Sequence, residues 1–331
     1  MNKISKILLV LLVIFLSASG FFFIGTPQQA KKINWGVNFS QRYAEQLGLD
    51  WKESFLVILD DLVAKNIRIS VDWDLIEPKS GEYNFNDLDW QIKESEKRNV
   101  KLILVFGLKT LHWPECHIPE WAKNLSNKER EGKIIALIKE IVLKYKDNNS
   151  IKAWQVENEA FFPYGQCPKI SKYFFEKEIQ LVKDSDKSGR PILVTDSGEF
   201  SFWFNSAKFG DIVGTSLYRK AWFGELNLSI PYPFPPIFYS KKSDLIKKFF
   251  GKKVIIAELQ AEPWGEKPLY ELNINRQKEL FWINDFEKHI EFAKKTGFDE
   301  IYFWGTEWWY WLKTKQNFPD FWNTAKELFE N

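Results

Sequence analysis

Two cysteines and three histidines in 331 residues leave little with which to build a metal centre. No CxxC pair and no HExxH occurs, and two thiols cannot supply a four-ligand structural zinc site. His112, His117 and His289 are too scattered to suggest a metal enzyme. An excess of one charge is missing as well: 46 Lys and Arg stand against 44 Asp and Glu, a net charge of +2. That balance offers nothing to a polyanion, so no nucleic-acid partner is expected. No GxGxxG or GxxxxGK[ST] follows an apolar run, so the common phosphate cradles are absent. Nor does a repeat or low-complexity linker interrupt residues 31–331, which read as one domain.

Aromatic side chains, by contrast, are abundant, at 17% of the chain with 16 tryptophans. They fit a large aromatic core, and equally a cleft floored with flat rings on which the C–H faces of sugars stack. The N-terminus is apolar: "MNKISKILLVLLVIFLSASGFFFIG" places Lys3 and Lys6 ahead of a run from Ile7 to Gly25. The small residues of "SASG" suit a secretory signal peptide. The run continues through Phe21–Ile24, however, to about the ~20 residues that span a bilayer, which favours an uncleaved signal anchor. Residues 1–30 are therefore expected to be a signal anchor or signal peptide, outside the fold. With positive charge kept inside, the domain lies beyond the cytoplasm. There Cys116 and Cys167 are expected to form one disulfide.

From residue 31 onward a pattern recurs: a short apolar run, a polar or aromatic loop, then a longer amphipathic segment. The runs are Ile33–Asn38, Ile67–Val71, Lys101–Phe106, Ile151–Val156, Pro191–Thr195, Asp211–Ser216, Lys253–Ala257 and Glu300–Trp304. Between them apolar residues return at three and four, as in Trp51, Phe55, Ile58, Leu59 and Leu62, or Ile134, Leu137, Ile138 and Ile141. Gly189, Gly251 and Gly297 supply helix stops. Continuous apolar strands alternating with helices predict a parallel sheet covered by helices. Eight units in about 300 residues predict an α/β fold of the (β/α)₈ TIM-barrel type, over residues 31–331. An open doubly wound sheet is the alternative.

In such a barrel the C-terminal strand ends form the active face. The fourth run, "WQVENEAFFPYG", breaks there into Glu157, Asn158 and Glu159. Charge beside a core is costly unless it has partners or a task. The seventh run, in "GKKVIIAELQAEPWG", is followed at once by Glu258. Strands four and seven are nearly opposite, so Glu159 and Glu258 should face each other over the mouth. A carboxyl pair across a cleft is the equipment for cleaving a glycosidic bond. Glu157 should point away from the cleft, and Glu262 is a competing carboxylate. The proline-rich "IPYPFPPIFYS" cannot be regular helix or central strand, and should form a stiff wall beside the cleft or pack onto a membrane surface.

With Asn158-Glu159 ending strand four and Glu258 ending strand seven, the chain resembles clan A of the retaining (β/α)₈ glycoside hydrolases, which contains the cellulase-type family five. Other pieces agree in order: "IRISVDWDLIEPKSGEYNFNDLDW" around strand two, "HIPEWA" after strand three, "SLY" at strand six and "IYFWG" at strand eight. The resemblance implies a retaining cleavage of β-glycosidic bonds, with Glu159 as acid/base and Glu258 as nucleophile. It implies that Asn158 donates to the sugar 2-hydroxyl, that Arg68 and Tyr218 support the nucleophile, and that Trp304 lies under the cleaved sugar. It implies no cofactor. His112 and Trp113 are placed to contact sugar from the third loop. A monomer with a carbohydrate substrate, attached to a membrane through its N-terminal segment, is expected. A transglycosylase remodelling envelope glycans would need the same residues, and a barrel kept only for binding carbohydrate is the remaining reading.

Overall fold

A computed structural model describes residues 3–330, apart from several side chains within the first twenty. Eight parallel strands close into a barrel in chain order: Asn34–Phe39, Asn66–Ser70, Lys101–Phe106, Ile151–Val156, Ile192–Asp196, Ile212–Leu217, Lys253–Gln260 and Glu300–Trp304. They are called strands one to eight below. All eight coincide with the apolar runs, because strands buried on both faces must be apolar along their length. Strand eight pairs with strand one and closes the cylinder.

The helices bury the faces that their periodicity exposes. Phe55, Ile58 and Leu59 of Trp51–Asp60 lie in the core, as do Ile134, Leu137, Ile138 and Ile141 of Asn127–Tyr145. Ser126 starts the latter helix with a capping box to Glu129, satisfying two otherwise orphaned backbone donors. Gly251 ends the helix Pro236–Phe250 at φ 68°, where a side chain would be strained. The barrel floor is apolar, with Ile103, Ala153, Leu193, Ile255 and Tyr302 packed together inside the cylinder. Gly36 is required beside them, since a Cβ there would sit 2.6 Å from the Tyr302 ring.

The proline-rich stretch differs from expectation. Leu228–Pro231 is the second strand of a small antiparallel hairpin with Lys220–Phe223. From Pro236 onward the chain is a helix of fifteen residues. Proline is tolerated in both places, since the edge strand and the helix's first turn do not need its missing N–H.

The N-terminal segment Lys3–Phe23 forms a 21-residue helix whose C-terminal end packs on the helix Pro236–Phe250 through Phe22 and Phe23. Among the described residues no helix is long and apolar enough to cross a membrane. The expected transmembrane anchor is thus without support. The side chains of its basic flank, Lys3 and Lys6, lie outside the described residues.

Glu157 turns out of the barrel at φ 58° and is fully buried. Its carboxylate accepts the backbone N–H groups of Leu108, at 2.8 Å, and Lys109. It also meets Glu178 of the helix Lys172–Ser185, and burial raises the pKa of both carboxyls, Glu178 the further. Groups raised in the fold hold protons that the unfolded chain, near 4.3–4.5, has released. Stability therefore falls as pH rises from about 4.5 toward the folded values, by up to ~1.4 kcal/mol per pH unit for each proton held. A Glu178→Gln variant keeps a donor for Glu157 and removes a titrating group. Its melting temperature should decline less between pH 5 and 8 than the parent's; equal slopes in pH-dependent calorimetry would mean that Glu178 does not hold a proton in the fold.

Candidate active site

Above the apolar floor the barrel interior becomes polar, and Arg68 of strand two is its centre. The guanidinium has no solvent exposure. Its Nε donates to Gln155 Oε1 at 2.6 Å and its Nη2 to Asn158 Oδ1 at 2.7 Å. Nη1 donates to Asn38 Oδ1 at 2.8 Å and to Glu258 Oε1 at 3.0 Å. A planar donor fork thus ties strands one, two, four and seven together. Because Asn158 Oδ1 is held by Arg68, its Nδ2 is the end of the amide left for a ligand. Thr195 completes the layer, accepting the Glu159 backbone N–H at 2.9 Å.

Glu258 lies inside strand seven rather than after it, since the strand runs on to Gln260. Its aim comes from a bulge. Strand six pairs Thr215 with Ile256 but Ser216 with Glu258, and strand eight pairs Ile301 with Ile256 but Phe303 with Leu259. One extra residue therefore enters strand seven between Ile256 and Leu259. Val254 and Ile256 belong to the outer core beneath the helices, and strict alternation would send residue 258 the same way. The bulge reverses the alternation and turns Glu258 into the cavity. Asn38 Nδ2 donates to the disturbed carbonyl of Ala257 at 3.0 Å and to Phe303 O at 2.9 Å, so the irregularity costs no unpaired group.

Glu159 and Glu258 line one cavity of about 320 Å³ at the C-terminal face. Their surroundings differ sharply. Glu258 has the arginine on one oxygen and the Tyr218 hydroxyl at 3.4 Å on the other. Glu159 is buried, and its Oε1 has no hydrogen-bond partner. Burial, and next the charge of Glu258, holds the Glu159 carboxyl well above the usual range. Glu159 is thus the member of the pair placed to hold a proton.

The remaining walls are aromatic and acidic. His112 is stacked between Tyr43 and Trp304, with ring centroids 4.1 Å apart on each side. Burial lowers its pKa to about 3, so the imidazole is neutral, and its Nε2 lacks a partner. Trp304 Nε1 donates to Glu262 Oε1 at 2.9 Å, and the Tyr43 hydroxyl donates to Glu262 Oε2 at 2.7 Å. Glu262 therefore belongs to the cavity wall, on the side of Trp304, while Glu258 is the carboxylate on Arg68. Trp113 also lines the cavity. Arg68 and Asn158 form the layer beneath it, bonded to each other, and Arg68 carries the contact to Glu258.

Several lining residues carried no signal in the sequence. Tyr43 comes from the first helix after strand one, and Trp264 packs edge-on against Tyr218 at 5.2 Å. Glu115 is buried, salt-bridged to Lys109 at 3.0 Å, and pushed up to about 7 by burial against that lysine's pull. His112, Glu115, Glu157 and Glu159 all have left-handed backbones, at φ 64°, 68°, 58° and 43°. Strain of this kind collects where the surrounding structure dictates a side chain's aim.

The disulfide joins Cys116 and Cys167, with Cα atoms 5.3 Å apart, and ties the loops after strands three and four together. Opening it by paired serine substitution should lower stability by about 2–4 kcal/mol. Denaturant unfolding would measure this, and an unchanged midpoint would mean that the loops are held by packing alone.

With this geometry in place, the comparisons with known proteins are specific. The model of glycosyl hydrolase family 10 matches residues 29–179. Endo-1,4-beta-xylanase 3 of Hypocrea jecorina is 24% identical over 184 residues, 54% of this chain and 49% of the xylanase. The chain is similar to the clan A (β/α)₈ glycoside hydrolases. Among solved structures, GH5_18 of Bifidobacterium longum subsp. longum superposes with a TM-score of 0.58 at 12% identity, covering 83% of this chain and 70% of that one. The family 10 endo-beta-1,4-xylanase of Gloeophyllum trabeum gives 0.56 at 14% identity, over 91% and 98%. The structural likeness thus reaches families 5 and 10 alike; the family model that matches is that of family 10, and Beta-galactosidase LacZ of Lactobacillus acidophilus is 27% identical over 141 residues, 35% of this chain and 20% of that protein. The chain spans about half the length of the curated xylanase it matches.

Proposed function

We propose that this chain is a retaining β-glycosidase acting on an oligo- or polysaccharide. The observation that carries the reading is the unequal pair in one cavity: Glu258 held by Arg68 and Tyr218, Glu159 buried with an unpartnered Oε1 and raised by burial and by Glu258 against the weaker pull of Lys109. Glu159 gives its proton to the glycosidic oxygen as the bond breaks. Glu258 attacks the anomeric carbon and forms a glycosyl-enzyme ester. Glu159, now a carboxylate, takes a proton from water, which displaces Glu258 and regenerates both groups. Asn158, with its Oδ1 held by Arg68, offers Nδ2 to the sugar 2-hydroxyl. Trp304 supplies a flat face for the ring, and His112, whose own faces are covered by Tyr43 and Trp304, offers the edge at Nε2. No cofactor enters this scheme.

The barrel works outside the cytoplasm in this reading, where a disulfide persists. The N-terminal segment is the signal that takes it there. The family 10 match favours xylan as the first polysaccharide to offer, with β-galactosides, mannans and glucans beside it. The test is hydrolysis followed by proton NMR of the first-formed sugar. A β-anomer appearing before mutarotation is expected. An initial α-anomer would replace retention by inversion, and sugar binding without turnover would leave a carbohydrate-binding barrel.

A further inference from the structure

The side of the barrel between strands five and seven carries an unusual surface of phenylalanine. Phe202 and Phe204, in the segment after strand five, and Phe249, at the end of the helix Pro236–Phe250, are 52, 44 and 64% exposed. They are continuous rather than scattered. Phe204 stacks with Phe202 at 6.4 Å and meets Phe249 edge-on at 6.5 Å and Phe250 at 5.9 Å. Exposed apolar residues occur singly on most proteins, whereas contiguous patches mark contact surfaces.

What covers this one is indicated by the chain itself. Phe22, near the end of the N-terminal helix, packs on Phe202 at 5.6 Å and on Phe238 at 5.9 Å, so that helix leaves the barrel from within the patch. Ile7 and the run Leu9–Val13 on it are at least half exposed, a run that water does not favour. Cations border the rings: Lys241 Nζ lies 5.2 Å from Phe21 and Lys248 Nζ 5.9 Å from Phe249. The helix Pro236–Phe250 exposes Lys247 beside them, against the single acid Asp244. Apolar rings ringed by lysine, at the foot of an apolar helix, match an anionic headgroup layer over acyl chains.

We infer that this phenylalanine face docks the barrel peripherally onto an anionic lipid bilayer. Docking needs only insertion of the rings at the headgroup boundary, and no helix has to cross. Phe200, two residues before Phe202, lines the cavity and stacks on Phe162 at 6.0 Å. The surface therefore reaches the cavity rim, and a docked barrel opens its cleft beside the lipid. The inference stands whether or not Glu159 and Glu258 cleave glycosides.

A polarity-sensitive dye placed on a Lys248→Cys variant of the full chain tests it, with the native disulfide kept oxidised. Vesicles of phosphatidylcholine with one quarter phosphatidylglycerol should shift its emission to the blue. A dye on Lys128→Cys, on the helix between strands three and four, should not respond. Adding Phe202→Ser, Phe204→Ser and Phe249→Ser should remove the shift and leave the near-ultraviolet circular dichroism unchanged. Loss of the lysine-dependent part at high salt is also expected. Vesicle binding with an unresponsive dye at 248 would overturn the inference, since the barrel would then stand clear of the lipid. A blue shift that follows protein concentration without vesicles would also overturn it, making the face a contact between two copies. Turnover of a soluble aryl β-glycoside, measured without vesicles, reports on the glycosidase reading separately.

Discussion

Replacing Glu258 with alanine should abolish turnover of every substrate, by about 10⁴-fold or more, because in the proposed mechanism Glu258 forms the covalent intermediate. Sugar binding should survive, since Tyr43, His112, Trp304 and Glu262 line the cavity beside Glu258 and keep their contacts with one another when it is shortened. Arg68 would lose its one anionic partner but keep Gln155, Asn38 and Asn158, so the fold should hold. The vacated space admits a small anion. Azide, supplied with an activated aryl β-glycoside, should attack the anomeric carbon directly and release the α-glycosyl azide. Product stereochemistry by NMR decides the matter. A β-azide would move the nucleophile's role to Glu159, and full residual activity would dismiss the glycosidase reading.

Replacing Glu159 with alanine should produce a different loss, graded by the leaving group. Substrates with poor leaving groups need the proton and should slow by about 10²–10⁴-fold, while activated aryl glycosides should form the intermediate almost normally. The intermediate then accumulates, because nothing deprotonates the attacking water, and azide should rescue turnover as the β-glycosyl azide. The pH profile follows from the same residue. Burial and the neighbouring Glu258 raise the pKa of Glu159, so the acid form persists above the ordinary carboxylate range. The parent's rate should fall as pH rises through that raised value, and the limb should vanish in the Glu159→Ala variant on an activated substrate. The observed limb belongs to the interacting pair, as two carboxyls in one cavity titrate together. A limb unchanged by the substitution would assign it elsewhere, with Glu115 and Glu262, both held near 7, the next groups to vary.

Strand periodicity made the barrel legible from the sequence. A strand covered on both faces must be apolar throughout, and a helix packed on it must repeat at three and four, so local pattern and global fold agree. All eight strands lie where the apolar runs do. The pairing of Cys116 with Cys167 was legible too, because the chain has two thiols and only one bond to make. Glu159 and Glu258 could be singled out since carboxylates at the ends of apolar runs demand a reason.

Tertiary structure alone decided how those residues act. Alternation along strand seven would turn residue 258 outward, and the bulge that reverses it is visible only in the pairing with strands six and eight. Burial and partners, which set apart the carboxyl that keeps its proton, are properties of neighbours brought in from distant strands: Arg68 reaches Glu258 across 190 positions. Tyr43 joins Glu262 across 219. The N-terminal run reads as a membrane span in the sequence, yet its last turn lies on Phe202 and Phe238. Composition and period are written locally in a chain and survive without the fold. The aim of a side chain, its dielectric surroundings and the charge beside it exist only once the strands have closed.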